Sequence, residues 1–70
     1  MPYELQIGSE TYPITVVHQN SFSVHAECTV DNIVYRGIEA SYGSDETALT
    51  SLAAEVSYQL DCTTNWRPTQ

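Results

Sequence analysis

Four short stretches of alternating apolar and polar residues constrain the fold of this chain more than any other feature of its sequence. They are YELQI (3–7), TYPITVVH (11–18), FSVHAECTV (22–30) and IVYRGIEA (33–40). Alternation with a period of two is typical of β-strands that bury one face. The groups GSE, QNS and DN separate the stretches, and such short connections join antiparallel neighbours, because parallel strands need a crossover of a dozen residues. The pattern therefore predicts a four-stranded antiparallel meander.

The dipeptide DN (31–32) joins the third and fourth stretches and sets the predicted register of the sheet. Asp and Asn both tolerate the left-handed backbone that a tight hairpin requires. With a two-residue loop, Glu27 lies opposite Arg36 on the outer face, where the two form a cross-strand ion pair. Ala26 then lies opposite Gly37 on the inner face. We expect these two small residues to form a shallow trough in which a helix settles closely.

The stretch GSDETALTSLAAEV (43–56) has the features of a helix N-terminus followed by one apolar face. Ser44 is a suitable N-cap, and the acids Asp45 and Glu46 in the first turn suit the positive end of the helix dipole. Five apolar residues recur at helical spacing and are expected to pack on the sheet: Leu49, Leu52, Ala53, Val56 and Leu60.

These elements predict an α+β fold, a four-stranded antiparallel meander sheet with one C-terminal α-helix packed on one face. Seventy residues are enough for one domain. We assign residues 1–61 to this single β-β-β-β-α domain and residues 62–70, CTTNWRPTQ, to a polar C-terminal tail. Within that tail, Trp66 is expected to fold back over an exposed edge of the domain.

The charge of the chain restricts its binding partners. Nine acidic residues stand against two basic ones, Arg36 and Arg67, giving a formal net charge of -7. Affinity for nucleic acid depends on the number of Lys and Arg contacts with phosphate, so direct DNA or RNA binding is not expected. The same argument disfavours an anionic membrane surface.

The N-terminal residues and the cysteines suggest a compartment. MPYELQIGSE lacks the basic and apolar regions of a secretory signal, so a cytoplasmic location is expected. In that reducing environment Cys28 and Cys62 would be free thiols, and a disulfide between them is the alternative.

Few residues are suited to catalysis or to metal binding. His18, His25, Cys28 and Cys62 are the soft ligands that a tetrahedral zinc site would use, but His25 and Cys28 are three positions apart in a strand and point to opposite faces. Burial is expected to raise the pKa of Cys28. We expect His25 at the solvated surface, where pairing with Glu27 is the alternative. No phosphate-binding glycine motif, nucleophile elbow or HExxH occurs in the sequence, so we predict no enzyme activity, cofactor or metal site.

The succession of strand, tight hairpin, strand and Ser-capped helix resembles the C-terminal half of a double-stranded-RNA-binding domain. The resembling part covers about residues 22–60, and its closest segment is GIEASYGSDETALTSLAAEV (37–56). In that family, lysines after the helix cap grasp phosphates, whereas this chain has Asp45, Glu46 and Leu49 at the matching positions and no lysine at all. The family's N-terminal helix is replaced here by a hairpin. The resemblance therefore implies a shape and transfers no RNA-binding role.

Size, acidity and the lack of catalytic motifs make the chain similar, as a class, to small acidic proteins with which phages and mobile elements block host defence, including anti-CRISPR proteins. Two surfaces are candidates for binding a protein partner. The acidic surface comprises Asp31, Glu39, Asp45, Glu46 and Glu55. The outer sheet face comprises His25, Glu27, Val34, Arg36 and Ile38.

The two surfaces correspond to two functional hypotheses. In the first, a non-enzymatic acidic inhibitor blocks the basic nucleic-acid-binding site of a host defence complex, and its binding weakens steeply with salt. In the alternative, a small structural or regulatory domain homodimerises through its open sheet face, and salt has little effect.

Overall fold

Six strands and one helix make up the part of the chain that the computed structural model describes, which is residues 2–20, 23–38, 40–41 and 45–69. In chain order they are β1 (Tyr3–Ile7), β2 (Glu10–Asn20), β3 (Ser23–Val30), β4 (Ile33–Arg36), β5 (Ala40–Ser41), α1 (Asp45–Leu60) and β6 (Thr64–Pro68). All strand pairs are antiparallel, and the sheet has the order β4-β3-β2-β1-β6, with the short β5 pairing with β3. α1 packs across one face of the sheet, mainly on β3 and β6.

The predicted α+β class, with an antiparallel sheet and one helix, is confirmed, but two of its details are wrong. α1 is followed by β6, so the helix lies in the middle of the chain and is not C-terminal. The main path of the sheet has five strands, where four were predicted. The fifth strand, β6, comes from residues 62–70, the segment assigned to a polar tail.

β6 escaped prediction because TNWRP contains only one large apolar side chain and so shows no apolar alternation. Trp66 lies opposite Leu5 of β1 and shares its face. Its ring meets that of Tyr3 edge to face, with 5.8 Å between the ring centroids. The indole N–H donates a hydrogen bond of 3.2 Å to Oγ1 of Thr50. Trp66 therefore connects the last strand both to its neighbour in the sheet and to the helix.

The register predicted from the DN hairpin is confirmed. Asp31 and Asn32 have φ values of 52° and 67°, the left-handed conformation that a two-residue hairpin loop requires. Glu27 pairs with Arg36 across β3 and β4, as predicted. The backbone N–H of Gly37 donates to the carbonyl oxygen of Ala26 at 3.0 Å, so the pairing of these two residues is also confirmed.

Gly37 directly follows β4 and lies close against the backbone of the helix. A Cβ atom at this position would lie 2.7 Å from the backbone nitrogen of Leu52, so only glycine fits without a shift of the helix. The next N–H, that of Ile38, donates to Oγ of Ser51 at 2.8 Å and leaves the β-ladder. The stretch 33–40, predicted as one strand, is therefore interrupted after Arg36, because the helix replaces the sheet as the hydrogen-bond partner.

The core lies between α1 and the sheet face that it covers. Its buried residues are Leu5, Ile14, Val24, Ala26, Cys28, Val30, Ala48, Leu49, Leu52, Ala53 and Val56. Four of the five residues predicted for the helix stripe are among them. The fifth, Leu60, is 39% exposed because it lies at the end of the helix, and Ala48 is buried in addition. The predicted N-cap, Ser44, lies outside the described residues.

Candidate partner-binding surfaces

The open sheet face, which we define as the face opposite α1, has the composition predicted for it. The register of β2 with β3 places Thr15 opposite Glu27 and Val17 opposite His25 on this face. At the β4 side of the face, Val34 is 63% exposed and Ile38 is 77% exposed. The strand register therefore brings four of the predicted residues, His25, Glu27, Val34 and Arg36, to the same side of the sheet, and Ile38 lies beyond the end of β4.

The prediction that His25 lies at the solvated surface is wrong. Its side chain is only 2% exposed. Its Nε2 lies 2.8 Å from Oε2 of Glu27, and a guanidinium nitrogen of Arg36 lies 3.4 Å from its Nδ1. The arginine is always a donor, so Nδ1 accepts and Nε2–H donates to the carboxylate. The alternative pairing with Glu27 is therefore confirmed. The predicted direct Glu27–Arg36 ion pair is replaced by a chain of hydrogen bonds through the imidazole.

Charges on the open sheet face balance. Arg67 in β6 forms a salt bridge with Glu4 in β1, with 2.6 Å between its Nε and Oε2 of the glutamate. Arg36 is connected to Glu27 by hydrogen bonds that both residues make with the imidazole of His25. Both basic residues of the sequence thus lie on this face together with two acids. The excess of negative charge belongs to the seven other acids, which are Glu10, Asp31, Glu39, Asp45, Glu46, Glu55 and Asp61. Of these, Glu39 lies outside the described residues.

The predicted acidic surface is not one patch. Asp45, at the start of α1, lies 3.1 Å from Nε2 of His18, and His18 pairs with Val24 near the beginning of β3. Asp31 follows the other end of β3. Seven residues of extended strand separate the two ends by about 23 Å. Asp31 therefore belongs to a different end of the sheet from Asp45, the first acid of the helix.

At the Asp31 end, a second acidic group was not anticipated from the sequence. The pKa of Tyr12 is raised above its ordinary value, most strongly by partial burial and to a smaller extent by the carboxylates of Asp31 and Glu10. The sequence indicates that the two acids are neighbours, because Glu10 begins β2, and β2 pairs with β3, the strand that leads into the DN hairpin. These two acids lie outside α1 and serve below as a control position.

α1 presents an uncharged exposed surface, the helix face, bordered by acids. Glu46 and Glu55 are nine positions apart and so lie on opposite sides of the helix, since each residue turns it by about 100°. Between them lie Thr47, Thr50, Ser51, Ala54 and Tyr58, the helix face. Tyr58 is 83% exposed, and a shallow groove of about 530 Å³ runs along residues 46–54. These are the helical positions that lie outside the apolar stripe, so the spacing of the stripe is enough to locate them in the sequence.

The two thiols are free, so the alternative of a Cys28–Cys62 disulfide is wrong. Cys28 is buried in the core, and this burial raises the pKa of its thiol, as expected. Over the described ranges, no three His, Cys, Asp or Glu side chains come together in a group that could hold a metal ion. Likewise, no helix in the described part of the chain is long and apolar enough to cross a membrane.

Comparison with known proteins adds no relative. No protein-family model, no curated protein and no solved structure matches this chain.

Proposed function

We propose that this chain is a non-enzymatic, acidic protein-binding module whose helix side contacts a basic surface of a partner protein. The observation that supports this proposal is the segregation of charge. Both arginines lie on the open sheet face and are engaged there with acidic or histidine side chains, whereas α1 carries Asp45, Glu46 and Glu55 and no basic residue. A partner that approaches the helix side therefore meets negative charge that no lysine or arginine offsets.

The helix face suits contact with another protein because its centre is a shallow, uncharged groove. Small residues at Thr50 and Ala54 let a partner approach the helix closely, while Glu46 and Glu55 on the two flanks attract basic side chains. Tyr58 is an exposed aromatic residue of the type that anchors interfaces. The specific form of the proposal is an inhibitor, from a phage or mobile element, that occupies the basic nucleic-acid-binding site of a host defence complex.

The proposal is tested by capture of partners from bacterial lysate on the immobilised chain, followed by elution with a salt gradient. A nucleic-acid-handling protein should elute between about 0.1 and 0.5 M salt, where screening of surface charges becomes strong. The triple variant Asp45→Asn, Glu46→Gln, Glu55→Gln should lose this capture.

The control is the double variant Glu10→Gln, Asp31→Asn, which removes two acids that lie outside α1 and should retain the capture. If both variants lost the partner equally, net charge and not the helix side would be responsible. The purified partner should then release bound nucleic acid when the wild-type chain is added, and a partner that keeps its nucleic acid would contradict the inhibitor form.

A second candidate is a structural or regulatory domain that homodimerises by stacking its open sheet face on that of another copy. The balance of charge on this face and the exposure of Val34 and Ile38 favour it. Such a contact is apolar and changes little with salt. The double variant Val34→Ser, Ile38→Ser would abolish it without affecting binding by the helix side.

A further inference from the structure

The two edges of the sheet differ in their capacity to accept another strand. In the described part of the chain, β4 forms one edge and β6 the other. Gly37 N–H bonds inward to Ala26, and antiparallel ladders alternate between inward and outward groups. The backbone N–H and C=O groups of Val34 and Arg36 therefore point away from β3. An edge with such unpaired groups is a template for a further strand.

The β6 edge is less suitable. Thr69 N–H bonds inward to the carbonyl oxygen of Pro2 at 2.9 Å, so the preceding residue, Pro68, occupies an outward position. Proline has no N–H to offer there. A strand added along β6 would lack a donor at Pro68, whereas both outward residues of β4, Val34 and Arg36, offer an N–H as well as a carbonyl oxygen.

The β4 edge also carries most of the exposed apolar side chains. Five large hydrophobic residues are exposed in the described part of the chain, and three of them, Ile33, Val34 and Ile38, lie in or next to β4. The exposed fractions of Ile33 and Val34 are 56% and 63%. Although β4 has only four residues, exposed apolar side chains beside an unpaired edge favour association.

We propose that two copies of this chain pair edge to edge through β4, antiparallel and about a twofold axis. Val34 of each copy then lies opposite Arg36 of the other. Because both residues point their backbone groups outward, each such pair exchanges two hydrogen bonds, and the symmetric contact forms four. Tyr35 faces Tyr35 of the second copy at the axis. Side chains of paired residues keep the same face, so the two helices lie on one side of a continuous sheet.

The charge of the β4 edge is compatible with a second copy in this place. Two chains of net charge -7 repel each other, but Arg36, one of only two basic residues, lies in this edge. In the register described, its side chain lies beside the exposed Val34 of the second copy, and its methylene stem can cover that apolar surface. The contact uses the sheet edge and leaves the helix face of both copies open, so it is independent of the proposed function.

The pairing is tested by analytical ultracentrifugation of the chain up to about 1 mM, a concentration that reveals even weak association. Wild type should show a species of twice the 7.8 kDa chain mass. Its fraction should rise with salt, because screening reduces the repulsion between copies, whereas binding of a basic partner falls with salt. A chain that remains monomeric at the highest concentration would overturn the proposal.

Two variants separate the edge from the open sheet face. Val34→Pro removes an outward N–H and no inward bond, and should weaken dimerisation at least about tenfold. Thr15→Glu places a charge on the open sheet face away from β4, and should leave an edge-paired dimer unchanged. A dimer that survives Val34→Pro, or that is lost in Thr15→Glu, refutes edge pairing.

Amide hydrogen exchange in the wild type provides a measurement that does not depend on the folding of a variant. The N–H groups of Val34 and Arg36 should exchange at least about tenfold more slowly at high than at low protein concentration. The amide of Glu27, which pairs with Thr15 of β2 in the interior of the same sheet, is the control. Equal exchange of Val34 and Arg36 at both concentrations would contradict the proposed register.

Discussion

The covered and the open face of the sheet bury side chains by two different means, and β3 shows both. Its consecutive residues Val24, His25 and Ala26 are 0%, 2% and 0% exposed, although they alternate between the two faces. On the covered face, Val24 and Ala26 are buried by the apolar stripe of α1. On the open face, His25 is held in hydrogen bonds to Glu27 and Arg36. A central strand can thus be shielded on both sides when only one side has a helix.

The difference shows how a chain of this size distributes its stability. Apolar burial under the helix supplies a large contribution that does not depend on charge. The hydrogen-bonded group on the open face supplies a smaller one that depends on each partner being present, because a buried polar group without a partner is costly. Substitutions on the two faces should therefore differ in size and in their response to salt and pH.

The largest effect is expected where the helix meets the covered face. Leu52 is fully buried, and Leu52→Ala should lower the free energy of unfolding by about 2 to 4 kcal/mol. The matched control is Leu60→Ala on the same helix, where the side chain is 39% exposed and the loss should be much smaller. Urea unfolding followed by circular dichroism measures both. Equal losses at the two positions would show that the helix does not pack as described.

Close approach of the helix to Gly37 predicts the next effect. Gly37→Ala adds one carbon atom against the helix backbone and should cost about 1 to 3 kcal/mol through overpacking. Ala54→Ser adds one atom to the exposed helix face and should change stability by less than about 0.5 kcal/mol. Thermal unfolding of the two variants compares them. If Gly37→Ala left the melting temperature unchanged, the space between Gly37 and the helix backbone would be wider than the structure shows.

On the open face, the two histidines provide a matched comparison. His25→Gln disturbs a buried hydrogen-bonded group and should cost about 1 to 3 kcal/mol. His18→Gln changes a side chain that is 59% exposed and paired with Asp45, and should cost at most about 1 kcal/mol. Both are measured by urea unfolding at pH 7. A larger loss for His18 would reverse the distinction between the two sites.

A smaller effect is expected at the exposed salt bridge of the open face. Arg67→Gln removes the contact with Glu4, and the expected loss is about 0.2 to 1 kcal/mol because Arg67 is largely exposed. The difference from wild type should shrink as salt is raised, since salt screens surface pairs. The Leu52→Ala difference should stay constant under the same conditions. A salt-independent loss at Arg67 would point to packing and not to charge.

The last effect is confined to alkaline pH and concerns the thiol of the covered face. Burial raises the pKa of Cys28 above its ordinary value of 9.0, so the folded state holds this proton more tightly than the unfolded chain. The resulting stabilisation is present below the unfolded pKa and is lost as the pH rises through the folded pKa.

Two measurements follow for the thiols. Cys28→Ala should remove this part of the pH dependence of unfolding. In the folded wild type, iodoacetamide should modify Cys62, which is half-buried, before Cys28, and Cys28 should react only after urea is added. Rapid alkylation of Cys28 in the folded chain would show that the covered face opens to solvent.

Local sequence patterns determined the parts of this structure that depend on near neighbours. Alternation identified β1 to β4, the helix stripe identified four of the buried helical residues, and Asp31 and Asn32 specified the hairpin and hence the register. The pairing of Ala26 with Gly37 followed from that loop alone. These features are predictable because side-chain periodicity and turn conformation are set within a few residues.

Tertiary structure decided the rest, because it depends on which distant segments meet. TNWRP became β6 only through pairing with β1, which lies about sixty residues earlier. Contact of Gly37 and Ile38 with the helix ended β4 after Arg36, and the neighbouring side chains buried His25. The acids of the candidate site were visible in the sequence, but their separation at opposite ends of β3, and the gathering of both arginines on one face, arose from the sheet. Local periodicity places a residue on a face of its own strand or helix, whereas only packing between elements determines what that face contacts.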